Sequence, residues 1–394
     1  MITKITVTSF KSLESVTIDL GQVNVFIGAN GSGKSNLLEA IGVLGAAASG
    51  RVDDESLLRR GVRPGLPQLY KSAFRGERAP AHISFSAQNT RAKYFVSLLN
   101  PIRDPNPAWR YKTETLSRDQ KKLVGRSPAL RQKLNPEQGL AALRSVTWKP
   151  DNPAVLLLSQ LRNYSIYCAN TPTLRGLVPE QQVREPVGLS GGRLPEAIKE
   201  VRAARKGNVW FEESYQEVLS LIDWAKNFIS AASASVPLSP SAAASQRVVQ
   251  FFDRYMEQGR NKLTGYDASE GALYILFAAV LALHPKSPEF FAIDNLDQAL
   301  NPRLAKRLAE YMCRWILHTK PNRQILITAH NPAVLDGLPL KDERVRLFTV
   351  DRNNRGHTVV NRVQVTENLL ERAKAGWTLS RLWVMGHIGG LPNV

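Results

Sequence analysis

The segment from Val23 to Asn36 constrains this chain more than any other part of its sequence. It reads VNVFIGANGSGKSN: an apolar run, a glycine-rich turn, and then the start of a helical pattern. The phosphate-binding pattern GxxxxGK[ST] is complete here, because Gly28, Gly33 and the Lys-Ser pair that follows stand at the required spacing. Glycine permits the positive φ angles and close backbone approach that a phosphate cradle needs. The segment therefore predicts binding of a nucleoside triphosphate.

Each residue of this loop has an expected role. Backbone N–H groups wrap the phosphate oxygens, Lys34 reaches the β- and γ-phosphates, and the Ser35 hydroxyl is a ligand of Mg²⁺. The expected cofactors are therefore ATP and Mg²⁺. The predicted nucleotide-binding residues of the loop are Asn30, Gly31, Ser32, Gly33, Lys34, Ser35 and Asn36.

Composition sets broad limits on the kind of protein. The chain has 394 residues, enough for one large α/β domain with insertions or for two or three smaller units. Its longest apolar run, from Ala272 to Leu283, is shorter than the roughly 20 residues that cross a bilayer, so no membrane span is expected. The N-terminus lacks a secretory signal pattern, and the cysteines Cys168 and Cys313 fit no zinc motif. These features predict a cytoplasmic protein without a structural zinc.

The charge balance points to a partner. The net charge is +18, with 52 Lys and Arg against 34 Asp and Glu. Such an excess is typical of proteins that contact nucleic acid, although a solvated basic surface or a patch facing an acidic protein fits equally. Two clusters, Arg118 to Lys133 and Lys199 to Lys206, carry part of the excess. Neither has the interleaved aromatic residues of a platform for single-stranded nucleic acid.

Hydrophobic patterns predict an α/β fold in which a mixed or parallel sheet is covered by helices. Two half-buried strands precede the loop, and after residue 246 short buried strands alternate with helices, as in a parallel sheet covered on both faces. Trp210 to Ile229 reads as one helix. The predicted organisation is a first part of the nucleotide-binding head at 1–50, an irregular insertion lobe at 51–150, a helical lobe and linker at 151–245, the second part of the head at 246–340, and a hairpin, helix and tail at 341–394.

Two further segments complete the expected nucleotide site. Phe290 to Asp294 is an apolar strand that ends in an acid, and on a strand neighbouring the loop strand Asp294 would hold Mg²⁺ through water. His330 follows another buried strand, which places its imidazole at the carboxyl edge of the sheet, where ligands of α/β folds bind. We therefore expect His330 to contact the γ-phosphate.

With these elements in this order, the chain resembles the SMC/RecF/OLD group of ABC-type ATPases, in particular compact bacterial members found in anti-phage systems. The resemblance implies head-to-tail dimers that enclose two ATP molecules, often acting with a separate effector such as a nuclease or toxin. The sequence after His330 is too short for the Toprim nuclease domain that OLD proteins carry there. The segments that carry the resemblance are Ile5 to Ser12, Gly28 to Asn36, Ser269 to Gly271, Ile293-Asp294, Asn301-Pro302 and Thr328 to Asn331.

In this group a signature serine and glycine at a helix N-terminus grip the γ-phosphate bound to the other subunit. Leu189 to Arg193 (LSGGR) matches the signature by its letters, but it lies far upstream of the strand that ends at Asp294. Ser269-Glu270-Gly271 opens the helix that leads directly into that strand. We therefore take Ser269 and Gly271 as the signature residues.

One departure from the group concerns hydrolysis. Relatives typically have Glu after the strand aspartate, whereas this chain has Asn295. An amide orients a water molecule but cannot accept its proton, which predicts slow hydrolysis or a borrowed base. Asp297 is the nearest candidate base, and a solvated loop acid is the alternative.

Three functions remain open from the sequence. The leading hypothesis is an ATP-driven dimeric switch that controls a separate effector, with antiviral defence implied by the resemblance. The second is a RecF-like DNA-repair ATPase that binds DNA. The third is a self-contained nuclease or toxin with its active site in the 51–245 lobes, where no convincing cluster of acids and lysine supports it.

Overall fold

The computed structural model describes residues 1–127, 134–140, 149–238, 246–319, 323–364 and 377–389. Parts of three predicted features lie outside these ranges: the linker from 239 to 245, the basic residues Arg131 and Lys133, and the end of the tail. Within the ranges, no helix has both the length and the apolar character that crossing a bilayer requires.

The elements are numbered here in chain order. The strands are β1 (Lys4–Phe10), β2 (Leu13–Asp19), β3 (Val23–Ile27), β4 (His82–Gln88), β5 (Ala92–Leu99), β6 (Arg110–Arg118), β7 (Lys121–Arg126), β8 (Ile166–Tyr167), β9 (Ala225–Ala232), β10 (Arg247–Asp253), β11 (Lys262–Thr264), β12 (Phe290–Ile293), β13 (Gln324–Ala329), β14 (Val345–Arg352) and β15 (Thr358–Arg362). The helices are α1 (Lys34–Ala48), α2 (Asp54–Leu58), α3 (Pro67–Tyr70), α4 (Pro153–Asn163), α5 (Thr171–Leu174), α6 (Leu194–Ala204), α7 (Val209–Leu221), α8 (Glu270–Leu283), α9 (Pro302–Thr319) and α10 (Leu379–Val384).

The first sheet is antiparallel and has the strand order β2-β1-β4-β5-β6-β7. Ile5 and Val7 of β1 are buried, whereas Thr6 between them is half-buried. One face of the sheet therefore packs on the core, and the other face does not. The sequence suggested that residues 51–150 form a separate lobe, but the described part of this range does not. Their four strands continue the sheet that the N-terminal hairpin begins, since β4 pairs directly with β1.

The second sheet carries the P-loop strand and has the order β15-β14-β3-β13-β12-β8. All its pairs are parallel except β14 with β15, so the predicted mixed sheet is confirmed. Every residue of β3, β12 and β13 is buried, as expected for strands covered on both faces. One detail differs from expectation: β12 is not adjacent to β3, because β13 lies between them.

Helices cover both faces of this second sheet. Val25 and Ile27 of β3 belong to one apolar core with α8 and α9, whereas Phe26 belongs to a second core with α1 and α4. Neighbouring residues of the strand therefore face opposite layers, as the two-residue period of a strand requires. The sheet holds the ends of β3, β12 and β13 at one edge.

The helix predicted from Trp210 to Ile229 is shorter in the structure. The helix α7 ends at Leu221, and the following residues form β9, which pairs with β10 in a small antiparallel sheet. Pairing with a strand distant in sequence overrides the local helical pattern here. The strands β10 and β11 pair antiparallel as the other half of this small sheet.

Candidate nucleotide-binding site

The P-loop lies between the end of β3 and the start of α1. Gly31 and Gly33 have φ angles of 77° and 113°, a region that L-residues with side chains rarely adopt. A Cβ at Gly33 would also collide with the side chain of Thr358. No side chain caps the N-terminus of α1, so its first N–H groups and the positive end of the helix dipole remain for an anion.

Lys34 lies folded into the loop. Its Nζ donates hydrogen bonds to the carbonyl oxygens of Gly28 at 2.7 Å and Ala29 at 2.9 Å, and the residue is only 4% exposed. Burial lowers the pKa of Lys34 to about 8, although the charges of Asp294 and Asp297 partly oppose this. In the described part of the chain, the ammonium group forms no salt bridge with a carboxylate, and a bound polyanion would favour its charged form.

The predicted Mg²⁺ ligands are in contact. The Ser35 hydroxyl donates to Asp294 Oδ2 at 3.0 Å, and Thr328 Oγ1 donates to the other carboxylate oxygen of Asp294. A hydroxyl and a carboxylate fit Mg²⁺, which keeps water and phosphate oxygens as its remaining ligands. In the described residues, no group of three or more His, Cys, Asp and Glu side chains is placed to hold a metal by itself. Ser35 and Asp294 are the residues that would hold a metal here.

Asn295 and His330 meet at the edge of the sheet beyond Asp294. Asn295 donates its backbone N–H to Thr328 Oγ1 at 2.8 Å, and its Oδ1 lies 2.9 Å from His330 Nε2. Asn295 has a φ of 58°, a left-handed conformation that asparagine tolerates. Burial, with a smaller contribution from the charge of Lys34, lowers the pKa of His330 below its ordinary value. The short distance between His330 and Asn295 fits a neutral imidazole whose Nε2–H donates to the amide oxygen.

Asp297 is placed differently from a solvated loop acid. It is 8% exposed, and its Oδ2 accepts the backbone N–H of His330 at 2.9 Å and that of Asn331. Its Oδ1 is buried and has no hydrogen-bond partner in the described part of the chain. The carboxylate therefore fixes the backbone that carries His330, which describes a positioning residue better than a free base.

The two segments that compete for the signature differ in their surroundings. In the LSGGR loop, the N–H groups of Ser190 and Gly192 both donate to Glu180 Oε2 at 3.0 Å. A carboxylate of the same chain thus already fills that anion site. Ser269 instead is exposed at the N-terminus of α8, where its side chain caps nothing, and Gly271 lies in the first turn. Ser269 and Gly271 are not joined to the P-loop by any hydrogen bond within the described ranges.

A second layer of residues holds the P-loop and was not predicted. Thr358 Oγ1 on β15 donates to Ser32 O and accepts from the Ser12 hydroxyl, each at 2.7 Å. Arg352 Nε donates to Gly31 O at 3.0 Å, and Asn36 Nδ2 donates to Ser12 Oγ at 2.8 Å. The contacts of Thr358 and Arg352 join parts of the chain that are far apart in sequence, so no local pattern could have revealed them. The contact of Thr328 with Asp294 had a weak sequence signal, because Thr328 is a lone hydroxyl residue after an apolar run.

An open cavity of about 520 Å³ adjoins the P-loop. Asn36 and Arg352 border it on the side of the loop, and Tyr70, Phe74 and Arg63 line the remainder. The cavity mixes aromatic and cationic groups next to the phosphate cradle.

The sequence is similar to known ATPase families. A family model described as "AAA domain, putative AbiEii toxin, Type IV TA system" matches residues 192–336, and a model described as "AAA ATPase domain" matches residues 1–59. DNA replication and repair protein RecF of Renibacterium salmoninarum is 36% identical over 104 residues, and RecF of Paenarthrobacter aurescens is 37% identical over 102 residues. Each match spans 25% of this chain and 25% of the relative.

The fold is similar to that of a solved SMC head. The crystal structure of the SmcHead bound to the C-winged helix domain of ScpA superimposes with a TM-score of 0.55, covering 94% of this chain and 99% of that chain. The two sequences are 13% identical, so this likeness concerns the fold. It confirms the predicted α/β head.

Proposed function

Because the chain is an SMC/RecF-like ATPase of the ABC type, we propose that it works as an ATP-driven dimeric switch that controls a separate effector protein. ATP and Mg²⁺ would bind at the P-loop, Ser35 and Asp294. When bound, they supply the phosphoanhydride that is hydrolysed and the cation that neutralises its charge. Lys34, whose Nζ now bonds the carbonyl oxygens of Gly28 and Ala29, would hold phosphate oxygens, and Ser35 and Asp294 would hold the metal.

The observation that carries this proposal is that the predicted site residues form two separate groups in one chain. The P-loop, Asp294 and His330 lie together, whereas Ser269 is exposed and uncapped at a helix end that is not bonded to them. An uncapped helix N-terminus is a site for an anion. In a head-to-tail dimer, Ser269 and Gly271 of one subunit would meet the γ-phosphate held by the other, so that ATP completes the interface.

The residues beyond Asp294 favour a long-lived ATP state. Asn295 is held by His330 and Thr328 in a position that suits orientation of a water molecule, but its amide cannot take the proton. Asp297 is engaged with two backbone N–H groups. We therefore propose that hydrolysis is slow and that the closed dimer persists long enough to signal.

The setting of the switch is also proposed. A match to a model described for a toxin of a toxin–antitoxin system supports a role in antiviral defence with a nuclease or toxin as effector. Such a role places the protein in the cytoplasm. A RecF-like function in DNA repair is the second candidate, because the matched segments of the RecF proteins are 36% and 37% identical and the chain carries a net charge of +18.

Sedimentation velocity tests the switch. With ATP and Mg²⁺, the wild-type chain should sediment as a dimer or larger assembly, and without nucleotide it should not. Lys34→Ala removes the phosphate contact and should abolish the shift. A sedimentation coefficient that ATP leaves unchanged would exclude nucleotide-driven association.

A further inference from the structure

The outer side of the antiparallel sheet carries an unusual set of side chains, which we term the hydroxyl face. Cross-strand pairing aligns these residues in three rows that run from β2 towards β7. The first row is Asp19, Lys4, Gln88, Lys93, Ser117 and Lys122, the second is Thr17, Thr6, Ser86, Phe95 and Thr115, and the third is Ser15, Thr8, Ser84, Ser97 and Thr113.

The hydroxyl face points away from the core. Its residues alternate along each strand with buried ones such as Val7, Phe85 and Tyr94, which belong to the core that also contains residues of α1 and α4. Ser15 and Thr17 are exposed, most residues of the middle strands are half-buried, and Ser86 and Ser97 are buried at 9% and 7% exposure. Adjacent strands lie about 4.8 Å apart, so six strands make a surface about 24 Å wide.

Positive charge collects at the β5–β7 end of this face. Lys93 and Lys122 are exposed in the first row, and the strands there also carry the exposed Arg110, Lys112 and Lys121. Two exposed acids, one on β2 and one in the turn between β6 and β7, lie against neighbouring cations.

These matched acids are Asp19 and Asp119. The carboxylate of Asp19 lies 3.3 Å from Lys4 Nζ, and that of Asp119 lies 2.7 Å from Arg91 and 3.6 Å from Arg118. The lysines of β5 and β7 therefore give this end of the hydroxyl face a positive net charge, which complements a polyanion.

Phe95 is the aromatic residue in these three rows. Its direct cross-strand neighbours are Ser86 and Thr115, whose side chains are much smaller. Phe95 is half-buried and does not belong to the apolar core. Its ring therefore stands above a layer of hydroxyl groups. The basic cluster that begins at Arg118 has no aromatic residue in its own sequence, but the pairing of β5 with β6 places one beside it.

We propose that the hydroxyl face binds single-stranded nucleic acid. Serine and threonine hydroxyls and lysine ammonium groups are common donors to phosphate oxygens, and they give contacts that do not depend on sequence. An unpaired base stacks on an exposed aromatic ring, whereas the bases of a duplex are stacked on each other. Phe95 among phosphate donors therefore selects a single strand over a duplex. The hydroxyl face shares no residue with the nucleotide site, and binding to it does not depend on the switch proposed above.

Fluorescence anisotropy without ATP tests this surface independently of the switch. The probes are a labelled oligothymidylate, an oligouridylate, and a mixed-sequence duplex of equal length, at low and at physiological salt. The wild-type chain should bind the single strands more tightly than the duplex. The double variant Lys93→Glu/Lys122→Glu should weaken binding by at least about tenfold at low salt, because two phosphate contacts become repulsive.

The matched control is Lys199→Glu/Lys206→Glu, which makes the same charge change on exposed residues of the other basic cluster. It should leave affinity within about threefold of wild type. Phe95→Leu keeps an apolar residue but removes the ring, and should weaken single-strand binding by about five- to 100-fold. Absence of single-strand binding, a preference for the duplex that Phe95→Leu leaves unchanged, or an equal loss in the control variant would each overturn the proposal.

Discussion

The buried state of Lys34 makes nucleotide affinity depend on pH in a defined direction. Burial lowers its pKa to about 8 in the free protein, and a bound triphosphate favours the charged form and raises that pKa. Affinity is therefore full below about pH 8 and falls as pH rises through it. Between about pH 7 and about pH 9 the protonated fraction drops from about nine-tenths to about one-tenth. Binding should weaken about tenfold, or about 1.4 kcal/mol.

Titration of a fluorescent ATP analogue at a series of pH values measures this slope. Burial lowers the pKa of His330, which moves its titration in the free protein away from the range from pH 7 to pH 9. The control is Lys34→Arg, whose guanidinium stays charged from pH 7 to pH 9. Its affinity should be the same at both pH values, whatever its absolute size. A wild-type affinity that is constant from pH 7 to pH 9, or the same tenfold slope in Lys34→Arg, would refute the reasoning.

Three further substitutions test separate parts of the site. Asn295→Asp keeps the shape of the residue but introduces a carboxylate. It should raise the rate of phosphate release at least about tenfold, because a positioned base contributes about 10²- to 10⁴-fold. An unchanged rate would mean that a missing base does not limit hydrolysis. Asp297→Asn retains an oxygen for the N–H of His330 and should keep most of the activity, whereas Asp297→Ala should reduce it; equal loss in both would indicate a base. Thr358→Val removes two hydrogen bonds, one of them to Ser32, and should lower the free energy of unfolding by about 1–3 kcal/mol and weaken nucleotide binding, as calorimetry and titration would show; unchanged values would exclude Thr358 as a support of the loop.

The parts of the site that sequence could predict are those encoded locally. The P-loop is a continuous segment whose glycines, lysine and serine identify themselves by spacing, and the apolar strand before Asp294 is equally self-contained. The choice between Ser269 and the LSGGR loop also followed from order along the chain. The structure adds a physical reason, because Glu180 already occupies the LSGGR backbone.

The predictions that differ from the structure depend on contacts distant in sequence. Residues 51–150 resembled an insertion because they are rich in Pro, Gly and charged residues, but hydrogen bonding of β4 to β1 makes the described strands of this range part of the first sheet. The sequence of β9 has a helical pattern, but its pairing with β10 makes it a strand. Thr358 and Arg352 carry no local signal at all, because their partners Ser32 and Gly31 lie at the other end of the chain.

A mixing experiment tests the central claim most directly. Lys34→Ala removes the P-loop contact and Ser269→Arg blocks the signature of α8, so neither variant alone should form an ATP-dependent dimer. A mixed dimer retains one complete site, made by the P-loop of the Ser269→Arg chain and the signature of the Lys34→Ala chain. Sedimentation with ATP and Mg²⁺ should therefore show assembly only in the mixture. Assembly of Ser269→Arg alone at the wild-type level, or none in the mixture, would contradict a site shared between two subunits.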